Sequence, residues 1–358
     1  MKDLMERRDF LKLTAAAGAG FLLPRDVFSA EKWPERPITG VVGFGPGGGI
    51  DMVGRSLSAA MEPHIGTTIN VINKGGASSA IAMEYVWTKP ADGYWWLYVS
   101  KYAARLRTAG MHPTCAWKDW QHYRAASTIL SFSVLPKSPI KDFGDFIDRA
   151  KKNPGKVKVS NGGVAGMEHF GVLLLEKSAG VKFHHLPYDG GKKAVLAVMQ
   201  GEADVVACGI QIAISYLKAG NLRHLAAFQD KGERIQNIDF HPITQYVPAA
   251  KKFCPYGGGA TLALRRNTPV EILRKVETAF NEAQKDSRYR AFLEKQVISQ
   301  VPLTGKEADR EAAFTEVSEA WLLKELGLAK KDPEKDLGLP KLDDFDQWWP
   351  PKDYKPVL

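Results

Sequence analysis

The sequence predicts an α/β protein of two lobes, each a sheet flanked by helices. Apolar runs of strand character alternate with segments of helical period, and this alternation occurs in two successive units. The 358 residues are enough for two domains of ordinary size. The 33 glycines and 21 prolines are spread through the chain, and no repeat of fixed period appears.

The run ITGVVGF reads as the first strand. Asp51 to Pro63 reads as a helix with Met52, Val53, Leu57, Ala60 and Met61 on one side. Thr68 to Ile72 is a second strand, Ala77 to Thr88 a second helix and YWWLYVS a third strand, a βαβαβ order that favours parallel pairing. Trp95 and Trp96 alternate faces on that strand, which puts at least one in the core. The second unit runs FSVLP (strand), Asp142 to Lys152 (helix), KVKVSN (strand), Met167 to Ser178 (helix) and VKFHHLPY (strand). It continues with Ala194 to Gln200 (helix), ADVVACG (strand), Gln211 to Ala219 (helix) and LRHLAAF (strand). Gly220-Asn221 stops the helix before LRHLAAF. Gln229 to Pro255 reads as connection. ATLALRR is a strand, Thr268-Pro269 caps a long helix ending near Ser287, and two more helices end near Gly327. The tail from Leu328 to Leu358 is rich in Pro, Lys and Asp and carries Trp348-Trp349, a composition suited to a strap over the surface.

The N-terminus reads as a twin-arginine export signal. Arg7-Arg8-Asp9-Phe10-Leu11-Lys12 precedes the apolar run Leu13 to Leu23, about half the ~20 residues of a membrane span. Cleavage is expected after Phe28-Ser29-Ala30, and bulky Phe28 at the minus-three position leaves an uncut anchor open. The expected organisation is therefore residues 1–30 as signal peptide, 34–131 plus 229–327 as one lobe, 132–228 as the other, and 328–358 as an extension. Removing residues 1–30 lowers the net charge from +9 to +8. No basic helix or Lys/Arg block suits nucleic acid, and a modest cationic field either favours small anions or merely keeps the protein in solution. Cys115, Cys208 and Cys254 allow at most one disulfide, and no spacing resembles a zinc site. No metal or cofactor is expected.

The stretch VVGFGPGGGID contains Gly43-x-Gly45-x-x-Gly48 between a strand and a helix, the spacing of a dinucleotide fingerprint. Three features oppose that reading. Pro46 removes an N–H that a phosphate would use. Asp51, expected to cap the helix, repels a pyrophosphate. The next strand ends NVINKGG, without the ribose-binding carboxylate. What remains is a turn whose free N–H groups meet a helix N-terminus, suited to a compact anion such as a carboxylate. SNGGVAGMEH, from Ser160 to His169, is a second glycine-rich turn between strand and helix, so one turn per lobe would close on one anion.

The chain resembles the tripartite tricarboxylate transporter solute-binding proteins of the TctC/Bug family. The resemblance lies in GFGPGGGIDMVGR, NVINKGGASSAIA followed by KPADGYWWL, SNGGVAGMEHFG, FHHLPYDGG, GEADVV, YLKAGNLRHLA and RNTPVEIL, in order across roughly residues 36–320. It implies a two-lobed type II periplasmic-binding-protein fold with a mixed sheet flanked by helices in each lobe. It also implies a monomeric periplasmic receptor that captures a small mono-, di- or aromatic carboxylate and delivers it to the membrane permease subunits. The proximal carboxylate would be held by backbone amides of the two turns. Residue by residue, the first turn matches Phe44, Gly45, Pro46, Gly47, Gly48, Gly49, Ile50 and Asp51; the second matches Asn161, Gly162, Gly163, Val164, Ala165 and Gly166. Ser78 and Ser79 replace two family glycines, and helix capping is the expected role of their hydroxyls. His169 and Tyr188 match family positions. Cys208 falls where the family often has Asp, which unsettles recognition of the ligand's distal end.

For that end the expectation is Lys101, followed by Arg105 and Arg107, just after the third strand, where Lys101 would pair a second carboxylate. Tyr98 or Tyr102 would stack on an aromatic ligand or fill the core. No Gly-x-Ser-x-Gly elbow is present, and a Cys208–His169 pair would lack an orienting third group, so no enzyme activity is expected. Two readings compete with transport: an exported dinucleotide-dependent oxidoreductase, and a protein presenting its bound ligand to a sensor.

Overall fold

A computed structural model describes residues 32–164 and 166–358. Residues 1–31, with the expected export signal and its cleavage site, and Ala165 lie outside the described residues. Pro34–Leu358 form one compact unit.

In chain order the strands and helices are β1 (Ile38–Val42), α1 (Gly49–Ile65), β2 (Ile69–Asn73), α2 (Ala80–Trp87), β3 (Trp95–Ser100), α3 (Ala116–Asp119), β4 (Trp120–Ser127), β5 (Leu130–Val134), α4 (Phe143–Lys152) and β6 (Lys158–Asn161). There follow α5 (Met167–Ala179), β7 (His184–Pro187), α6 (Gly191–Met199), β8 (Val205–Gly209), α7 (Ile210–Lys218), β9 (Arg223–Ala227), β10 (Glu233–Ile235) and β11 (Ile238–Phe240). The chain closes with β12 (Gly259–Arg265), α8 (Val270–Ala283), α9 (Ser287–Lys295), β13 (Ser299–Leu303), α10 (Gly305–Glu325) and α11 (Phe345–Trp348).

Two mixed sheets result. The first has the order β13-β4-β12-β3-β1-β2 and the second β7-β6-β8-β5-β9; β10 and β11 pair separately. In the first, β1 is parallel to β2 and β3, while β12 runs antiparallel to both β3 and β4. In the second, β6 is parallel to β7 and β8, while β5 runs antiparallel to β8 and β9. The chain passes between sheets after Ser127 and again between Ala227 and Gly259. The parallel portions are the βαβ units legible in the sequence, and their strands end together at the glycine turns.

The strand β4 was not expected. Gln121 and Arg124 interrupt its apolar pattern, yet both are buried. Arg124 donates to Glu311 at 3.1 Å and to the Ala260 carbonyl at 3.2 Å, and also to the Ala126 carbonyl. A buried charge is tolerable when paired and hydrogen-bonded. β13 and the β10–β11 hairpin were likewise unexpected, and the hairpin lies inside the segment expected as connection. Ile243, Val247 and Ala250 from that segment join Phe132, Phe143 and Phe146 in the core over the second sheet.

α10 organises the first sheet's cations: Glu316 pairs Arg107 at 2.8 Å, Glu319 pairs Arg105 at 3.0 Å and Asp309 pairs Arg266 at 2.7 Å. The tail packs against this helix. Leu339 and Phe345 are buried with Trp117, Ala313 and Val317. Trp348 and Trp349 meet Trp117 edge-on, with centroids 5.6 and 5.7 Å away. Trp96 is fully buried while Trp95 is half-buried, and the three cysteines are free thiols.

Candidate functional site

Both glycine turns border one cavity of about 90 Å³ between the sheets. That is space for roughly six water-sized spheres.

The first turn links β1 to α1. Gly43 must lack a side chain: a Cβ there would lie 2.6 Å from the Ser79 Oγ. Gly47 takes a left-handed φ of +72°, which glycine accepts without cost. The N-cap of α1 is Gly48, with no side chain capping the helix. Asp51 therefore does not cap as expected. Its carboxylate accepts instead from the Gly47 N–H at 2.8 Å, Arg55 Nε at 3.0 Å and Asn73 Nδ2 at 2.8 Å. These bonds lock the turn from behind and leave the end of the helix to the cavity.

The second turn links β6 to α5, whose N-cap, Gly166, is equally without a side-chain cap. Asn161 Oδ1 accepts from the Gly163 N–H at 3.2 Å. Two more helices begin at the same cavity: α6 after Gly190 and α7 after Gly209. Gly190 and Gly191, and Gln211 in the first turn of α7, form part of its wall. Helix N-termini carry partial positive charge and unsatisfied N–H groups, so their convergence suits an anion.

Contacts cross the cleft. Ser78 Oγ donates to the Val164 carbonyl at 2.9 Å. Thr128 Oγ1 donates to Gln211 Oε1, and a Cβ on Gly49 would lie 2.6 Å from Gln211 Nε2. Met52 on α1 packs on the cluster of Ala194, Val195 and Ile212.

Of the expected site residues, Phe44, Gly48, Gly49, Ile50, Ser78, Gly162 and Gly166 line this cavity. Gly45, Pro46, Gly47, Asp51, Asn161, Gly163 and Val164 build the turns without lining it, and Val164 is exposed. Ser78 and Ser79 cap no helix. Both take left-handed φ values, and Ser79 is buried with its Oγ donating to the Gly43 carbonyl at 3.2 Å.

Lys101, His169, Tyr188 and Cys208 do not line the cavity. Residues Lys101–Leu106 form a 3₁₀ helix, and Lys101 Nζ lies 3.8 Å from Glu311 Oε1. Burial, then the nearby Arg124 charge, lowers its pKa. His169 meets the His185 and Phe170 rings; burial, then His185, lowers its pKa to about 4. Tyr188 donates to Glu202 at 2.7 Å. Cys208 is fully buried, with its thiol pKa pushed far up by burial. A thiol held protonated this way is no nucleophile.

The cavity also takes Tyr102 and Arg105, which the sequence marked beside Lys101, and further residues that it did not mark. Tyr102 stacks on Tyr256 at 5.4 Å, and Arg105 lies over the Phe170 ring at 4.0 Å. Glu168, Gln211 and the Gly258-Gly259 pair complete its wall. Gly190-Gly191 was findable, since DGGKK repeats the pattern of glycines opening a helix after a strand. Among the described residues no His, Cys, Asp or Glu cluster could hold a metal ion, and no helix is long and apolar enough to cross a membrane.

The model of the tripartite tricarboxylate transporter family receptor, TctC, matches residues 53–328. The chain belongs to this family. It is 27% identical over 338 residues to a "UPF0065 protein in gbd 5'region" of Cupriavidus necator, covering 91% of this chain and 99% of that protein. The periplasmic binding protein BugD superposes with a TM-score of 0.75 at 21% identity, over 84% of this chain and all of BugD (100%). An R. palustris protein solved with adipate gives a TM-score of 0.75 at 23% identity, over 83% of this chain and 99% of its own. The two-lobed periplasmic-binding-protein fold implied by the sequence is thus the fold of this receptor. Receptors of this family bind solute without transforming it, so the chain is not an enzyme.

Proposed function

We propose that this receptor acts in the periplasm, capturing a small organic carboxylate between its two lobes and passing it, as a monomer, to a tripartite-type membrane permease. The single observation that carries the reading is the convergence of two glycine turns, from different sheets, on one enclosed space. At each turn a helix starts without a side-chain cap. An anion held there exchanges water for fixed peptide donors at little cost of reorganisation. Adipate in the R. palustris structure supports a carboxylate as the class of solute. The lobes divide near Ser127–Leu130 and again before Gly259, so 132–228 gains residues 238–256 as packing partners. Residues 1–30 direct export through the twin-arginine route and are removed after Ala30.

In this reading Gly49, Ile50 and Gly162 offer backbone donors, while the Gly48 and Gly166 N–H groups donate to the Gly45 and Gly163 carbonyls at 3.4 and 3.1 Å and shape the turns, and Ser78 closes the cleft across to Val164. A thermal-shift screen of mono-, di- and aromatic acids tests it. A solute at 100 times its Kd adds ~2.7 kcal/mol of stability. Failure of every acid to raise Tm, or a rise with NAD or FAD instead, overturns the proposal.

A further inference from the structure

Among the described residues, two charged side chains line the cavity: Arg105 and Glu168. They are not equivalent. Arg105 is matched inside the protein, since Glu319 stands 3.0 Å from its Nη2, the Tyr102 carbonyl accepts from its Nε at 3.2 Å, and Phe170 lies under its guanidinium. Its charge is committed to the floor of the site.

Glu168 is the second residue of α5. Its carboxylate folds back over the second glycine turn: Oε2 lies 3.2 Å from where a Cβ on Gly162 would stand and 3.7 Å from one on Gly166. Any larger residue at 162 would push it away. Among the described residues, no ion pair within 4.0 Å holds it. An acceptor therefore stands at the mouth of one of the two N–H cradles, in a space that Gln211 and Ser78 also line. A plain dicarboxylate entering this space sets its charge beside another carboxylate. A solute with an ammonium group beside its carboxylate meets backbone donors at α1 and an acceptor at Glu168.

We infer that Glu168 reads a cationic donor on the solute, which makes the ligand class an amino-carboxylate rather than a simple diacid. The inference rests on the carboxylate-receptor reading above and narrows it. The test is calorimetric titration of the full mature chain with aspartate and glutamate, each against its desamino counterpart, succinate or glutarate. The wild-type chain is expected to bind one amino acid at least about tenfold tighter than its counterpart, as truncating a hydrogen-bonded charge pair generally costs this much or more. Glu168→Gln, close in size and able to fold, is expected to bring the ratio to within about threefold, chiefly by weakening the amino acid. An equal or reversed preference in the wild type, or an unchanged ratio in Glu168→Gln, overturns the inference. If the desamino acids bind and the amino acids do not, this inference falls and the carboxylate receptor stands. If neither series binds, this inference falls, and the wider acid screen alone decides the carboxylate receptor.

Discussion

The two glycine turns are built alike and use their acidic residues in opposite ways. Each joins a parallel strand to an uncapped helix, and each has a carboxylate in the helix's first turn. Asp51 is the third residue of α1 and is 4% exposed. From that position a side chain reaches back past the N-cap, as in a capping box, and Asp51 accepts the Gly47 N–H. Glu168 is the second residue of α5, carries one more methylene and opens to the cavity. One acid is scaffold and the other faces the cavity. The difference lies in one residue of helix position and in the presence, on the first turn alone, of Arg55 and Asn73 as partners.

The largest expected effect falls on the scaffold acid. Asp51→Ala leaves the Gly47 N–H, Arg55 Nε and Asn73 Nδ2 without their acceptor. We expect a loss of about 2–4 kcal/mol of stability, since each buried group left unsatisfied costs ~1–3 kcal/mol and water recovers part of it. Solute affinity should fall with it, because the turn loses its brace. Urea denaturation measures the first as a lower midpoint at unchanged m. A midpoint within error of the wild type would mean that the two acids are not distinct in role.

Smaller effects are expected at the glycines. A Cβ on Gly162 would stand 3.1 Å from the Gly191 backbone nitrogen and 3.2 Å from Glu168 Oε2. Backbone cannot yield easily there, so Gly162→Ala should cost about 1–2 kcal/mol and displace Glu168. At Gly45 nothing lies within 4 Å of the added carbon, so Gly45→Ala should stay within about 0.5 kcal/mol of the wild type. Melting temperatures of the two variants compare the turns directly. Equal losses at both positions would show that crowding at 162 is relieved by movement of the second turn.

The contrast also shows what the sequence could display. The turns themselves were legible, because glycine spacing between a strand and a helix is local information. So was the α/β alternation that places the turns at strand ends. The partners were not. Arg124 made β4 look unlike a strand, and Glu311, which neutralises it, lies 187 positions away. Thr128 and Gln211 meet across 83 positions. Lys101 was favoured over Arg105 on the assumption that the strand simply ends; the chain turns instead into a 3₁₀ helix. With three residues per turn, a step of four places Arg105 about 120° around from Lys101. That rotation brings Arg105 to the cavity and takes Lys101 to Glu311. Glu168 was passed over because nothing local distinguishes an acid that helps a helix start from one that faces a ligand.

A small gain, not a loss, isolates Glu168. Burial raises its carboxyl pKa above the usual range, against the opposing pull of its own backbone N–H and of Arg105. The other titratable groups nearby are Cys208 under Gly191, His169 beside it in the chain, and Glu319 behind Arg105. A carboxyl raised in the folded state binds more protons folded than unfolded in the window between its ordinary and its raised pKa, so stability falls as pH rises through that window. Above it the empty receptor carries the full cost of a desolvated charge. Glu168→Gln removes that cost and should raise the Tm of the solute-free protein by about 1–3 °C at pH 7. Below about pH 4 both states are protonated and the gain should vanish. A gain that persists at low pH would assign it to packing rather than charge, and no gain at pH 7 would mean that water reaches the carboxylate freely. The expected pattern, an acid that weakens the empty protein, is the signature of a group kept for a partner, because a bound ammonium offsets the desolvation that the backbone N–H and Arg105 compensate only in part.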